Sequence, residues 1–217
     1  MKKALLIAWI LVLAVLVSGC GEPRVKVLTK TFKQGQINVK YPQLRGSKDK
    51  AAQKIINRTL YNMAWALSDK QDVGLRSDIS VTYEAVFQVT FKKDNIISIK
   101  FMERQHFPWD KTPEKELKSI TFDPVTGKVY RFKDLFTPGF DYETRINRLA
   151  KDIIETNQMQ LLRPYKGMDR DQAFFLGKEG LVIYYQDNIY TTDVVGPLNI
   201  MIIYPKLYGM LREDMEF

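Results

Sequence analysis

The sequence predicts an α+β fold, an antiparallel sheet with two main helices packed on it. Three observations carry this. Val81, Tyr83, Ala85, Phe87, Val89 and Phe91 alternate with mostly polar residues, and Ile97, Ile99 and Phe101 do the same beyond the turn Lys93-Asp94-Asn95. A period of two marks strands with one buried face, and the short turn joins them as a hairpin. Two other stretches repeat apolar residues at helical spacing, Ala52 to Leu67 and Ile146 to Ile153. The strand-like runs come in groups broken by those helices, which is the order of an α+β chain.

Taken in order, Val25–Phe32 and Gln36–Tyr41 read as two β segments around a turn at Gly35. Ser47 is placed to cap the first helix, whose stripe is Ala52, Ile56, Leu60, Met63 and Leu67 and which is expected to end near Asp69. The hairpin comes next, with Phe87, Val89 and Phe91 expected in one core with Ile56, Leu60 and Met63. Ser119–Asp123 alternates again, and Asp123-Pro124-Val125-Thr126-Gly127 supplies a tight return into Lys128–Phe132. Asp141 is positioned to cap the second helix, with Ile146, Leu149, Ala150 and Ile153 on one face and Pro164 barring continuation. Ala173–Leu176, Gly180–Tyr185 and Leu198–Ile203 read as strands, with a short helix after Pro205.

The first residues carry an address rather than a fold. Met1-Lys2-Lys3 precedes an apolar run from Ala4 to Val17, closed by Ser18, Gly19 and Cys20. That is the charged, apolar and small-residue order of an export signal. The run has 14 residues, whereas a spanning helix needs about 20. Val17-Ser18-Gly19-Cys20 resembles the processing site of bacterial lipoproteins, and Cys20 is the chain's one cysteine. The resemblance implies a signal peptide over 1–19, a lipidated Cys20 opening a short linker over 20–24, and a single extracytoplasmic domain over 25–217. The protein is then held on the outer face of the cell membrane, or of an outer membrane where the envelope has one. Lipidation consumes the only thiol, so the domain is expected to fold without disulfide or cysteine-bound metal.

Removing Lys2 and Lys3 lowers the formal charge from +8 to +6. Outside the cytoplasm a basic protein meets anionic wall polymers or lipid head groups rather than nucleic acid. Basic and acidic residues interleave with no run of five like charges, and the charge reads as a solvated surface.

A family resemblance enters at Ser119–Leu135, Ser-Ile-Thr-Phe-Asp-Pro-Val-Thr-Gly-Lys-Val-Tyr-Arg-Phe-Lys-Asp-Leu, followed by Phe136, the helix from Tyr142 and Leu181-Val-Ile-Tyr-Tyr-Gln186. Together these resemble an uncharacterised extracytoplasmic domain family, over about 79–207. That family includes sensor domains of lysozyme-binding anti-sigma factors, the N-terminal region of some polysaccharide deacetylases, and stand-alone lipoproteins. The resemblance implies a fold, and fold alone does not fix function. Where the family has a glycine-rich segment ending in Gly-Ala-His, this chain has Glu103-Arg104-Gln105-His106; where it has Tyr-Glu and Pro-Tyr, this chain has Asn188-Ile189 and Thr192-Asp193.

No catalytic constellation emerges. His106 is the only histidine, so a zinc site or a Ser-His-Asp triad would rest on it alone. Glu114 with Glu116 and Asp169 with Asp171 lie among Lys and Arg and read as solvated loop charges rather than a glycosidase pair. Thr137-Pro138-Gly139 lacks the spacing and lysine of a phosphate loop. The segment His106-Phe107-Pro108-Trp109-Asp110 sets two large aromatics around a proline. Arg104, His106, Phe107 and Trp109 are therefore the candidate contacts for a ligand, with no catalytic residue, metal or cofactor expected. For Phe107 and Trp109 the alternative is a lid folded back on the core. The function expected is a binding module for an envelope protein or wall-derived ligand, as sensor, inhibitor or accessory subunit. Its rivals are a structural envelope lipoprotein without ligand and a wall-polymer hydrolase.

Overall fold

The structure is a computed structural model, described for residues 25–65, 81–93, 95–109 and 111–215. Cys20 and the segment around Leu67 and Asp69 lie outside these residues, as does Asp110. The strands are β1 (Lys26–Gln34), β2 (Ile37–Arg45), β3 (Thr82–Lys93), β4 (Ile96–His106), β5 (Glu114–Phe122), β6 (Val129–Tyr130), β7 (Phe174–Leu176), β8 (Gly180–Tyr185) and β9 (Leu198–Ile203). The helices are α1 (Lys50–Ala64), α2 (Tyr142–Thr156) and the short α3 (Tyr204–Leu207). The class is α+β, as the alternation and the two stripes require.

The sheet departs from expectation in two ways. It is divided, with β1 to β6 in sequence order in one sheet and β7-β8-β9 in a second. It is also mixed, because β2 pairs with β3 in parallel over Ile37–Val39 and Tyr83–Ala85. Parallel neighbours need a long crossover, and the segment between β2 and β3, which contains α1, provides it.

The large sheet is covered on both faces. One carries α1, with Ile56 and Leu60 packed against Val39, Ala85, Ile97, Ile99, Phe101, Ile120 and Phe122. The other receives the small sheet through Leu117, Phe175, Val182 and Tyr184, with Met102 at the margin. Polar ties set the register: Leu176 N–H donates to Ser98 Oγ at 3.0 Å, and the Ser119 hydroxyl donates to the Phe174 carbonyl. Beyond the small sheet, α2 places Ile146 and Ala150 against Ile183, Ile200 and Ile202.

Two sequence expectations are corrected in detail. Asp49, not Ser47, caps α1, its carboxylate accepting from the N–H groups of Ala51 and Ala52 at 2.8 and 3.0 Å. Ser47 is buried and its hydroxyl donates to the Pro124 carbonyl at 2.9 Å. That bond joins α1 to the Asp123–Gly127 turn, where Gly127 has φ of +77° and a Cβ would lie 3.1 Å from Ala52 Cβ. Phe91 does not share a core with Phe87 and Val89. The β3–β4 register shifts between Val89 and Phe91. One extra residue in a strand turns the side chains beyond it to the opposite face, and Phe91 packs on Tyr204 instead.

A tyrosine group packs between α2 and the small sheet. Tyr165 and Tyr185 share a hydrogen bond of 3.0 Å and both pack on Tyr190. Burial raises the Tyr165, Tyr184, Tyr185 and Tyr204 hydroxyls above their ordinary value. A raised folded pKa contributes stability present below the unfolded value of about 10 and lost as pH climbs toward the folded values. We expect absorbance at 295 nm to show these phenols ionising in one step with loss of circular dichroism. Their gradual ionisation near pH 10 in an intact fold would contradict this.

Candidate binding surface at the β4–β5 end

At one end of the large sheet, β4 leads into residues 107–113 and β5 returns. The continuing alternation decides where the side chains go. Ile97, Ile99 and Phe101 face α1, and the same parity carries Glu103 and Gln105 into the interior, at 0% and 4% exposure, while Arg104 and His106 are exposed. Glu103 accepts from the Tyr83 hydroxyl at 3.2 Å and pairs with Lys118 at 3.2 Å. A fully buried carboxylate must be compensated in this way. In the sequence Glu103 stands out only within a family departure, although its parity with Phe101 was the available signal for burial.

His106 closes β4 opposite Thr82 rather than sitting in a loop. Glu114 and Glu116 are likewise strand residues, and Glu116 pairs with Lys118 at 3.0 Å. Asp169 and Asp171 are exposed. Of the loop aromatics, Phe107 is buried at 7% exposure and Trp109 is 65% exposed, stacked on it at 5.1 Å.

The structure joins this loop to the 186–196 segment between β8 and β9. The Thr112 hydroxyl donates to Asp193 Oδ2 at 3.0 Å, and the Lys115 ammonium donates to the Asp193 carbonyl at 3.2 Å. The Gln186 amide meets the outer edge of β5, accepting from Leu117 N–H at 3.0 Å and donating to its carbonyl at 2.6 Å. It occupies the place of a neighbouring strand where β6 is too short to reach. Between these ties lies a cleft of about 370 Å³, lined by Thr112, Glu114, Lys115, Asp187, Asn188 and Asp193. Burial raises the Asp187 carboxyl pKa, Lys115 opposes the shift and Asp193 adds to it.

The 186–196 segment is held by its own hydrogen bonds. Asn188 N–H donates to the Thr191 carbonyl at 2.7 Å, the Thr191 hydroxyl to the Gly196 carbonyl at 2.6 Å, and Gly196 N–H to the Thr192 carbonyl at 2.9 Å. Gly196 takes φ of +85°, a conformation that excludes most side chains. Tyr190 anchors the segment inward, while Val194 and Val195 point outward at 79% and 74% exposure. In the sequence Asn188-Ile189 and Thr192-Asp193 stand out only as family departures, and no local pattern marks the two valines. Among the described residues no group of His, Cys, Asp and Glu is arranged to hold a metal, and no helix is long and apolar enough to cross a membrane.

The arrangement defines an α+β domain with a partly apolar surface at one end, its two segments tied by hydrogen bonds. A family model described as "Protein of unknown function (DUF3298)" matches residues 133–204. The match takes in α2, the small sheet and the 186–196 segment but not β1 to β5, and is narrower than the 79–207 span expected from motif order. A crystal structure of a member of the DUF3298 family from Bacteroides fragilis is similar at 12% identity, with a TM-score of 0.61, over 87% of this chain and 93% of that one. A DUF3298 family protein from Pseudomonas aeruginosa is similar at 10% identity, with a TM-score of 0.63, over 88% and 95%. Identity this low makes these likenesses of fold. No curated protein matches the chain.

Proposed function

We propose that this chain is a lipid-anchored extracytoplasmic binding module that takes an envelope protein or a wall-derived ligand on the β4–β5 end, without catalysis of its own. The observation that carries the reading is the exposure of Trp109, Val194 and Val195 on two segments tied together by Thr112 and Asp193. Exposed apolar side chains on a pre-ordered backbone bind with little loss of entropy. The sequence resemblance to sensor domains of lysozyme-binding anti-sigma factors and to deacetylase N-terminal regions supports a sensor or accessory role. The lipoprotein-type signal that ends just before Cys20 supports the tether.

The test is cross-linking and capture from native envelopes by the wild-type protein and by Trp109→Ala. A partner lost with the tryptophan is expected; a partner set unchanged by it would refute the site. Cys20→Ala is expected to release the protein from the membrane fraction, since two acyl chains hold stably where a basic surface alone does not. Retention of that variant at unchanged size would refute the tether. The cleft that brings the Asp187 and Asp193 carboxylates together favours a second reading, hydrolysis of a wall polymer. Fragments released from purified wall by the wild type and not by Asp187→Asn would move the assignment there.

A further inference from the structure

The net positive charge of residues 25–217 lies in the first structural unit. Residues 25–65 carry nine Lys and Arg against one acidic residue, Asp49, a net +8, whereas residues 66–217 carry 21 basic and 23 acidic residues, a net −2. All nine basic side chains of the first unit are exposed. Interleaving along the whole sequence hides this asymmetry, and the fold brings several of the charges together. Lys26 and Arg45 stand directly opposite on β1 and β2. Beside Arg45, Leu44 is fastened to α1 by two bonds with the Asn57 amide, at 2.6 and 3.1 Å. Along α1, Lys50, Lys54 and Arg58 recur every fourth residue as one exposed stripe, away from the buried Ala52, Ile56 and Leu60. Lys92 reaches from β3 to the Val25 carbonyl. The cations thus surround the point where the chain enters the fold. Like charges directly opposite across strands are destabilising, so this cluster is held against the interest of the fold.

We propose that this entry-end face docks on anionic lipid head groups and fixes the orientation of the domain on its membrane. The proposal rests on the lipid-anchor reading of Cys20. Lys26 follows Cys20 by six residues, at most about 20 Å of extended chain. A tether on Cys20 therefore brings the entry end close to the head groups, where each Lys or Arg gains about fivefold in binding. That proximity favours lipid over the wall polymer. The orientation is set by the strands. β3 runs from Thr82, opposite His106, to Lys93 near the entry end, roughly 35 Å of strand. A membrane-docked entry face thus directs the Trp109 end outward, toward the wall.

The test uses the lipidated protein extracted from its own membranes and placed in vesicles of phosphatidylcholine, with or without phosphatidylglycerol, at low salt. Amine acylation read by peptide mass spectrometry compares Lys26, Lys50 and Lys54 with Lys111 and Lys166, which are exposed at the Trp109 end of the fold. Modification of the first three is expected to slow by about fivefold or more in phosphatidylglycerol vesicles and to recover at high salt, with the other two unchanged. Equal modification in both vesicle types overturns the docking while leaving the anchor intact. Protection by soluble poly(glycerol phosphate) on phosphatidylcholine vesicles, without protection by phosphatidylglycerol, overturns it in favour of a wall polymer. Failure of the wild type to stay on phosphatidylcholine vesicles overturns the anchor reading, and the docking with it.

Discussion

Phe101→Ala is expected to remove about 3 to 5 kcal/mol of folding stability. Phe101 is fully buried on β4, between β3 and β5, on the face beneath α1. Phe87 lies directly opposite it, ring centroids 6.4 Å apart. The loss has two parts, the transfer of a large ring back to water and the cavity left behind. The cavity cannot collapse easily, because β4 is held by ladders on both sides from Ile97 to Gln105. Native domains hold only about 5 to 15 kcal/mol in total, so one such change takes a large share. Urea unfolding should show the midpoint falling with the slope unchanged. On the opposite face of the same sheet Val86 is 47% exposed, and Val86→Ala should cost under about 0.5 kcal/mol. A loss below about 1 kcal/mol at Phe101 would mean that this face is not the core of the fold.

Local periodicity made most elements legible. β9 was read to the residue, and Asp141 does cap α2, accepting from Thr144 N–H at 3.1 Å. What local pattern cannot supply is the relation between segments. Nothing in Ile37–Val39 announces a parallel partner in Tyr83–Ala85. Nor does the run from Val81 to Phe91, regular in sequence, announce the extra residue that sends Phe91 to the other face. Ser47 and Asp49 are both sound helix caps by type. Ser47 instead donates across to Pro124, a contact 77 residues away in sequence.

The candidate surface was half legible for the same reason. Trp109 stood out because a large aromatic beside a proline is visible in one segment. Its partnership with the 186–196 segment depends on Thr112, Lys115 and Gln186 reaching across two sheets. Glu103 shows the opposite failure. Its position follows from strand parity alone, but a glutamate is read as surface unless the strand is carried past Phe101.

Trp109→Ala is expected to separate binding from folding. The indole is 65% exposed and its contact is a stack on Phe107, so its loss should cost no more than about 0.5 to 1.5 kcal/mol. For a chain of this size that is a fall in melting temperature of a few degrees at most, at roughly 2 to 4 °C per kcal/mol. Removing a tryptophan from the centre of a contact surface commonly costs about 2 kcal/mol or more in binding, about thirtyfold in affinity. Phe107→Ala should do the reverse. At 7% exposure its ring is part of the packed interior, and its removal should cost about 3 to 5 kcal/mol before any effect on a partner is seen. Melting curves and quantitative capture on the same two variants therefore give opposite orders of severity. If Trp109→Ala melts well below the wild type and captures the partner as before, the indole is a lid and the binding surface lies elsewhere.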